Sequence, residues 1–443
     1  MNCTEVYRNA LPPVSPKGPA DRLATVRRFT FAEQNAKKFL SLPLYGLGSL
    51  ASLLVPRSAA RWVFGCGSGV GEGSLQLIEL ARAENPRLSV TWLARNTRDL
   101  DAAAALGIPA VLGSSARGLW LTLRAQVIVV THGFGDVNRY GIRGGFVVQL
   151  WHGIPLKLIH LDSPATLRSA ILPKSNAMRR LLRRMYRRAA SAIRLIPAAS
   201  EVSAARLRTA FGLPAERVVV TGDPRDDVLL RGTETERIAA ARHTLHQLLP
   251  LAALPDSRVV LYAPTWREGD PDPALPTEAQ WERIGAYLMA TDSVLLIRPH
   301  PLGVGDYGRG TALSDRIQLL TQELRADVTA LLPAVDVLIT DYSSIAFDFA
   351  LTGGMIAFLA PDQAAYTASR GLYRPYSEFS GGSEVTSWDA LLDLLERCDS
   401  DPALTGRLRK HSAELRRQHH AFLDGRNTER VYVEIVTRLR GHE

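Results

Sequence analysis

The sequence predicts an α/β fold of two Rossmann-like halves facing a central cleft, preceded by an apolar N-terminal extension. Three observations predict it. Short, continuous, β-branched apolar runs recur along the chain, the pattern of strands buried in parallel sheets rather than of half-exposed antiparallel ones. These runs fall into two alternating strand–helix series, one over residues 58–235 and one from 256 to 425. Nearly every run ends in polar or reactive residues, and in open α/β sheets ligands bind outside the carboxyl ends of the strands.

Residues 1–57 read as an N-terminal extension. Within it Phe39–Val55 carries no charge and is flanked by Lys37, Lys38, Arg57 and Arg61. Its Pro43, Gly46 and Gly48 and its short length favour an interfacial or core helix over a bilayer span. The first strand, Trp62–Phe64, leads into Gly65-Cys66-Gly67-Ser68-Gly69-Val70-Gly71-Glu72-Gly73. That spacing is not the dinucleotide fingerprint, and no acidic residue follows a clear second strand, so it reads as a close-approach turn on the acceptor side. Val127–Val130 runs into Thr131-His132-Gly133, and Phe146–Leu150 into Trp151-His152-Gly153. Val218–Val220 runs into Thr221-Gly222-Asp223-Pro224-Arg225.

Between the last two of these runs lies the whole net charge. From Ser163 to Ser200 there are nine basic residues and no acidic one, equal to the formal net charge of +9 for the chain. Near residues 178–190, Arg179, Arg180, Arg183, Arg184, Arg187 and Arg188 come in pairs every four residues, with Met178, Leu181, Leu182, Met185 and Tyr186 in the gaps. On a helix this makes one cationic and one apolar face, suited to an anionic membrane surface. A solvated surface helix is the plain alternative. No aromatic platform or known module supports nucleic acid as the partner.

A helical connector over 236–255, ending in Pro250 and Pro255, precedes the second series. Val259–Tyr262 runs into Pro264-Thr265-Trp266-Arg267, and Val294–Ile297 into Arg298-Pro299-His300-Pro301. Val337–Ile339 runs into Asp341, Ser343 and Ser344, with a helix pattern from Ile345: a strand, a hydroxyl-rich turn and a helix start, a geometry that holds phosphate. Arg225, Arg267 and Arg298 offer planar donor forks that match phosphate oxygens, and the histidines suit proton transfer. The tail, Leu404–Arg440, is helical in pattern and broken near Asp424-Gly425-Arg426-Asn427, so residues 426–443 form a last helix able to cross back to the first half.

Length points to two or three domains. Three well-separated cysteines (Cys3, Cys66, Cys398) indicate a reducing compartment without a disulfide framework or zinc site. The first thirty residues have no apolar core of a signal peptide. No Asp-rich cluster marks a dedicated Mg²⁺ cage, so no protein-held cofactor is expected; Mg²⁺ bound by a nucleotide is compatible with the sequence.

Together, Gln149-Leu-Trp-His-Gly-Ile-Pro-Leu-Lys157, Asp223-Pro-Arg-Asp-Asp227, Ala263-Pro-Thr-Trp-Arg267, Arg298-Pro-His-Pro301 and Thr340-Asp-Tyr-Ser-Ser-Ile-Ala-Phe-Asp-Phe349 resemble the CDP-glycerol glycerophosphotransferase family of teichoic-acid primases and polymerases. Pro361-Asp362, Tyr366, Arg370-Gly-Leu-Tyr373 and Asp424-Gly425 continue the likeness, which runs in order from about residue 60 to 435. Arg298 stands where many members have other residues. The resemblance implies a GT-B architecture with the nucleotide held by the C-terminal half. It implies attack of an acceptor hydroxyl on the β-phosphorus of CDP-glycerol, with release of CMP. The acceptor would be a lipid-linked glycan or poly(glycerol phosphate), and the protein peripheral on the cytoplasmic face of the membrane.

On that basis His152 is expected to be the general base, and His300 with Arg298 to stabilise the phosphates. Ser343 and Ser344 would hold the diphosphate, with Arg225, Thr265, Arg267 and Asp341 on the nucleotide side. Lys157 and Asp348 match the motifs without an assigned role. Two other readings stay open: a CDP-ribitol or sugar-nucleotide donor on the same fold, and a glycolipid-binding protein without catalysis.

Overall fold

A computed structural model describes residues 41–168, 172, 175–249, 257–268 and 270–441. Most of the expected extension (1–40) and the prolines Pro250 and Pro255 lie outside these residues. The fold is α/β, built on two all-parallel sheets. The first contains β1 (Ser58–Phe64), β2 (Ser89–Ala94), β3 (Ala110–Leu112), β4 (Ala125–Val130), β5 (Phe146–Gln149), β6 (Ile193–Ala198) and β7 (Val218–Val220). Its spatial order is β3-β2-β1-β4-β5-β6-β7. The second contains β8 (Arg258–Ala263), β9 (Ser293–Ile297), β10 (Ile317–Leu319), β11 (Val337–Thr340) and β12 (Met355–Phe358), in the order β10-β9-β8-β11-β12.

Register explains why the central strands are so apolar. Trp62 of β1 lies opposite Val90 and Val127, and Leu338 of β11 lies opposite Leu261 and Ile356. Both faces of each sheet are covered, so residues of both parities are buried. Phe64, Val127, Val129 and Val148 pack on one face of the first sheet, and Val63, Ile128, Val130 and Val147 on the other. Leu261, Leu296 and Leu338 face one core of the second sheet, Tyr262, Ile297 and Ile339 the other.

The topology decides where a site can form. Strand order reverses between β1 and β4 in the first sheet and between β8 and β11 in the second. At such a reversal the loops after neighbouring strands leave in opposite directions and open a crevice. The loops at the first reversal are the glycine-rich segment and Thr131-His132-Gly133. At the second they are Pro264–Arg267 and Asp341–Ser344.

The helices fall where expected, with shifted bounds. Of the apolar segment, Leu42–Leu54 forms a helix of 13 residues, while Phe39 and Leu40 lie outside the described residues. Among the described residues no helix is long and apolar enough to cross a membrane. The basic helix spans Asn176–Ala190, with the Ser175 hydroxyl accepting from the Met178 amide at 3.2 Å as its cap. Leu182 is buried on its inner side, yet Leu181 is 44% exposed, so its apolar face is only partly packed. The connector helix runs Glu234–Leu248 from a reciprocal Thr233–Glu236 cap.

The last helix, Asn427–Arg440, inserts Val431 and Ile435 among Leu77 and Ile78 of the helix Glu72–Glu84, on the first sheet. Asp227 anchors its start, accepting from the Asn427 and Thr428 amides at 2.9 and 2.8 Å. Burial of Val431 and Ile435 contributes roughly 1.5–3 kcal/mol each.

A candidate active site where the two sets of strand ends meet

The first-sheet side is built around two stacked imidazoles. His132 follows β4 and His152 follows β5; their rings lie 4.1 Å apart and 2° from parallel. Gly67 permits the approach, since a Cβ there would sit 2.5 Å from the His132 ring. The Gly67 amide donates to His132 Nδ1 at 3.2 Å, so His132 carries its proton on Nε2. His152 is the reverse. Its Nδ1 lies 3.3 Å from the Thr131 carbonyl, which only accepts, so Nδ1 is protonated and Nε2 keeps its lone pair. Burial, reinforced by His132, lowers His152 to about 3, and it is neutral at physiological pH. Trp151, just before it, has a φ of 66°, a left-handed conformation that costs a non-glycine residue about 1–3 kcal/mol.

Glu72 completes this side and was not anticipated. It too has a positive φ, 53°. One carboxylate oxygen accepts from Ser68 at 2.7 Å, while Oε2 is buried without a partner. Cys66, Glu72 and His132 each place one potential metal-ligand atom within 4.8 Å of the others. Burial pushes the Cys66 thiol well up, and His132 Nδ1 is already an acceptor. Cys66 and Glu72 both contact the Ser68 hydroxyl, and His132 Nδ1 accepts from the Gly67 amide, so all three are tied into the glycine-rich turn.

The second-sheet side changes the roles expected of three residues. Asp341 is buried, accepts from the Thr265 and Tyr342 amides at 2.9 and 2.6 Å, and pairs with Arg267 at 3.0 Å. Arg267 also pairs with Asp362 at 2.7 Å and lies 4.6 Å over the Tyr366 ring. Burial opposes its charge, but Asp362 and Asp341 outweigh that and hold it above the usual range. Arg298 spends its guanidinium on the carbonyls of Leu320, Thr321, Arg325 and Ala326, at 2.7–3.2 Å. Asp341, Arg267 and Arg298, expected as ligand groups, brace the loops that follow β8, β10 and β11.

Other residues remain available. The Thr265 hydroxyl is buried without a partner. The Leu302 amide donates to His300 Nδ1 at 3.1 Å, so His300 presents Nε2–H. Burial, with Lys157 and Arg298 adding, lowers His300 to about 3, and its ring stacks 5.8 Å from Trp266. Ser343 and Ser344 are part-buried and neither side chain caps the helix Ile345–Ala350 at hydrogen-bonding strength; the Ser343 contact to the Ile345 amide is 3.5 Å.

The two sides touch directly. Gly153, with a φ of 110°, comes so close that a Cβ there would lie 3.0 Å from Ser344 Oγ and 3.4 Å from Arg225 Nη1. Arg225 makes a hydrogen-bonded ion pair with Asp348 of the helix Ile345–Ala350. Burial works against this cation, but Asp348, Glu72, Asp223 and Asp327 together raise it above the usual range. The Leu158 amide donates to the Gly371 carbonyl at 3.0 Å and the Tyr373 amide to Leu156 at 3.1 Å. The Glu72 amide donates to Asp327 at 2.9 Å. The segment His152–Gly153, Arg225 and Ser344 thus converge, and His300 and Lys157 lie near each other.

The arginines at 179, 180, 183, 184, 187 and 188 stand apart from this junction. All six are exposed on the helix Asn176–Ala190. The helix Leu42–Leu54 exposes Leu44, Leu47, Leu50, Leu53 and Leu54. Tyr45, Leu50 and Leu53 from that helix share one surface cavity with Arg143 and Arg188, so the apolar and basic segments adjoin.

Over 231 residues the chain is 29% identical to the teichoic acid ribitol-phosphate polymerase TarK of Staphylococcus aureus, covering 52% of this chain and 42% of that protein. Over 260 residues it is 28% identical to a teichoic acid glycerol-phosphate transferase of the same species, covering 57% of this chain and 62% of that protein. The matched parts are thus less than two thirds of either relative. A solved structure of the wall teichoic acid polymerase TagF superposes with a TM-score of 0.70 at 22% identity, covering 94% of this chain and 98% of that one. A TagF variant solved with CDPG gives the same TM-score, 0.70. The sequence profile of CDP-glycerol:poly(glycerophosphate) glycerophosphotransferase matches residues 58–437, and the chain belongs to that family of transferases.

Proposed function

We propose that this protein transfers glycerol phosphate from CDP-glycerol to a hydroxyl of a membrane-associated acceptor, a lipid-linked glycan or a poly(glycerol phosphate), and releases CMP. The halves 58–235 and 256–425 are read as the two domains of a GT-B-type arrangement, with the substrate cleft at their junction and the nucleotide on the second. One observation carries the chemistry. The Thr131 carbonyl fixes the His152 tautomer, leaving Nε2 as a neutral proton acceptor on the residue before Gly153, which itself packs against Ser344 and Arg225.

In the proposed step, the acceptor oxygen forms a bond to the β-phosphorus as its proton passes to His152 Nε2. The bond from the β-phosphorus to the oxygen bridging towards the α-phosphorus breaks, and its electron pair leaves with CMP. His300 Nε2–H donates to the departing phosphate. Arg225 Nη1, Ser343, Ser344 and the Thr265 hydroxyl are the remaining donors towards the phosphates. Glu72 faces the imidazolium that forms on His152 and favours it. Any Mg²⁺ would arrive with the nucleotide. No nucleic acid takes part.

The basic helix and the adjoining exposed leucines support attachment to an anionic membrane on the cytoplasmic face, where a lipid-linked acceptor would lie. A ribitol-phosphate polymerase among the relatives favours CDP-ribitol as the second reading of the donor. The test is CMP release from CDP-glycerol, CDP-ribitol and UDP-sugars with acceptor-bearing membranes, alongside protection by cytidine and uridine nucleotides. Release from CDP-glycerol with protection by cytidine nucleotides alone supports the proposal. Release from another donor replaces the substrate, and no release from any donor contradicts transfer.

A further inference from the structure

The diphosphate of the donor brings about two negative charges into a junction whose arginines are largely spent. Arg267 serves Asp341 and Asp362, Arg298 serves four carbonyls, and Arg225 gives its Nη2 to Asp348. The imidazoles of His152 and His300 are neutral. Lys157 differs. It lies in the segment Leu156–Leu158 that pairs antiparallel with Gly371–Tyr373, so its backbone is clamped between the two halves. Among the described residues its ammonium group makes no hydrogen bond and no ion pair within 4.0 Å, although the residue is part-buried.

The groups around it do not supply its missing partner. Arg370 and Arg267 repel it, and Arg370 is drawn towards Glu268 at 3.6 Å. Asp341 attracts it but already serves Arg267 and two amides. His300 feels the Lys157 charge directly. A part-buried cation among cations, with no anion committed to it, is a poor structural element and a good anion site. Burial and the two arginines lower its pKa to about 8, as befits a charge waiting for a counter-ion.

We infer that Lys157 is the cation that neutralises the donor diphosphate, its ammonium group contacting a non-bridging phosphate oxygen beside His300. This rests on the transfer reading above and names the residue that holds the donor's charge.

The test is calorimetry of CDP binding to the full chain in two buffers of different ionisation enthalpy, for wild type and Lys157→Met, with cytidine as the phosphate-free probe. The terminal phosphate ionises near 6, so it contributes no proton change at pH 8. His300 at about 3 and Arg298 at about 10 each keep one form at pH 8, and Arg267 is held charged above its usual range; Arg370, Glu268 and Asp341 are the other charged groups around Lys157. With Lys157 at about 8, wild type takes up about half a proton on binding CDP at pH 8, whereas at pH 6.5 Lys157 is already charged and the remaining phosphate proton is released instead. Lys157→Met loses the uptake and binds CDP about 10- to 100-fold more weakly, the worth of one charged hydrogen bond, with cytidine affinity unchanged. Lys157→Arg recovers most of the affinity without the uptake. CDP binding to wild type with no proton uptake at pH 8 overturns the inference, without reliance on any variant. So does full CDP affinity in Lys157→Met. If wild type releases CMP from CDP-glycerol in either case, the transfer reading stands alone; if it neither binds CDP nor releases CMP, both fall.

Discussion

The ion pair between Arg225 and Asp348 carries more of the account than its surface area suggests. It joins the loop after β7 to the short helix after β11, and so ties together the strand ends that hold the proposed site. Arg225 is 12% and Asp348 2% exposed, so neither charge has much water to fall back on. Breaking a buried pair by removing one partner costs about 3–5 kcal/mol, because the remaining charge is left uncompensated. The two halves of the pair are not equivalent. Without Arg225, Asp348 keeps the attraction of His420 and faces Asp226 and Asp327. Without the Asp348 charge, Arg225 still has Glu72, Asp223 and Asp327. Arg225→Met should therefore cost about 3–5 kcal/mol and Asp348→Asn only about 1–3 kcal/mol. The double variant should fall short of their sum by about 1–3 kcal/mol. Burial already pushes the Asp348 carboxyl up, so protonation should soften the Arg225→Met loss at pH 6 relative to pH 8. Urea unfolding followed by tryptophan fluorescence reads all three values. Equal costs for the two single variants, or costs below about 1 kcal/mol for both, would refute the reasoning.

Other predictions follow from single observations. Ile435 is fully buried where the last helix returns to the first sheet, so Ile435→Ala should lose about 2–4 kcal/mol of stability by denaturant titration; a loss under 0.5 kcal/mol would mean the return packing is dispensable. Burial holds His152, His300 and His419 at about 3 in the folded chain. Their stabilising contribution is complete above their unfolded value near 6.5 and drains away as pH falls towards 3, so unfolding midpoints should drop between pH 6.5 and 4. A rise over that range would contradict the neutral assignment. Replacing Arg180 and Arg184 by Gln should weaken binding to phosphatidylserine vesicles at low salt by roughly 2 kcal/mol, about 30-fold, in co-sedimentation. An unchanged affinity would separate the basic helix from the membrane.

Much of the architecture was legible because the decisive strands are continuous and largely apolar. β4, β5, β8, β9 and β11 announce themselves as uninterrupted runs, and each ends in the residues that meet at the junction. β3 and β10 are only three residues long, and β6 contains Arg194 and Pro197, which break its apolar run. Residue types at strand ends pointed to His152, His300 and Ser344 for the same reason that the fold places them there: the crevices open at those ends. What residue types cannot reveal is commitment. Arg267 and Arg298 look like phosphate forks, yet their partners, Asp362 and four carbonyls, come from distant parts of the chain. Glu72 was hidden because a carboxylate opening a helix ordinarily serves the helix dipole; its positive φ and its vacant Oε2 exist only in three dimensions. Lys157 stood in a recognised motif, but its lack of a counter-ion could be seen only once every neighbouring acid had been assigned.

The central claim is that His152 Nε2 takes the proton of the attacking hydroxyl in a transfer that releases CMP. The most direct test is CMP release from CDP-glycerol by wild type and His152→Ala, with acceptor-bearing membranes and with folding verified by unfolding midpoint. The account predicts release by wild type and a loss of about 10²–10⁴ in turnover for the variant, with CDP affinity preserved. Near-normal turnover in His152→Ala would contradict it.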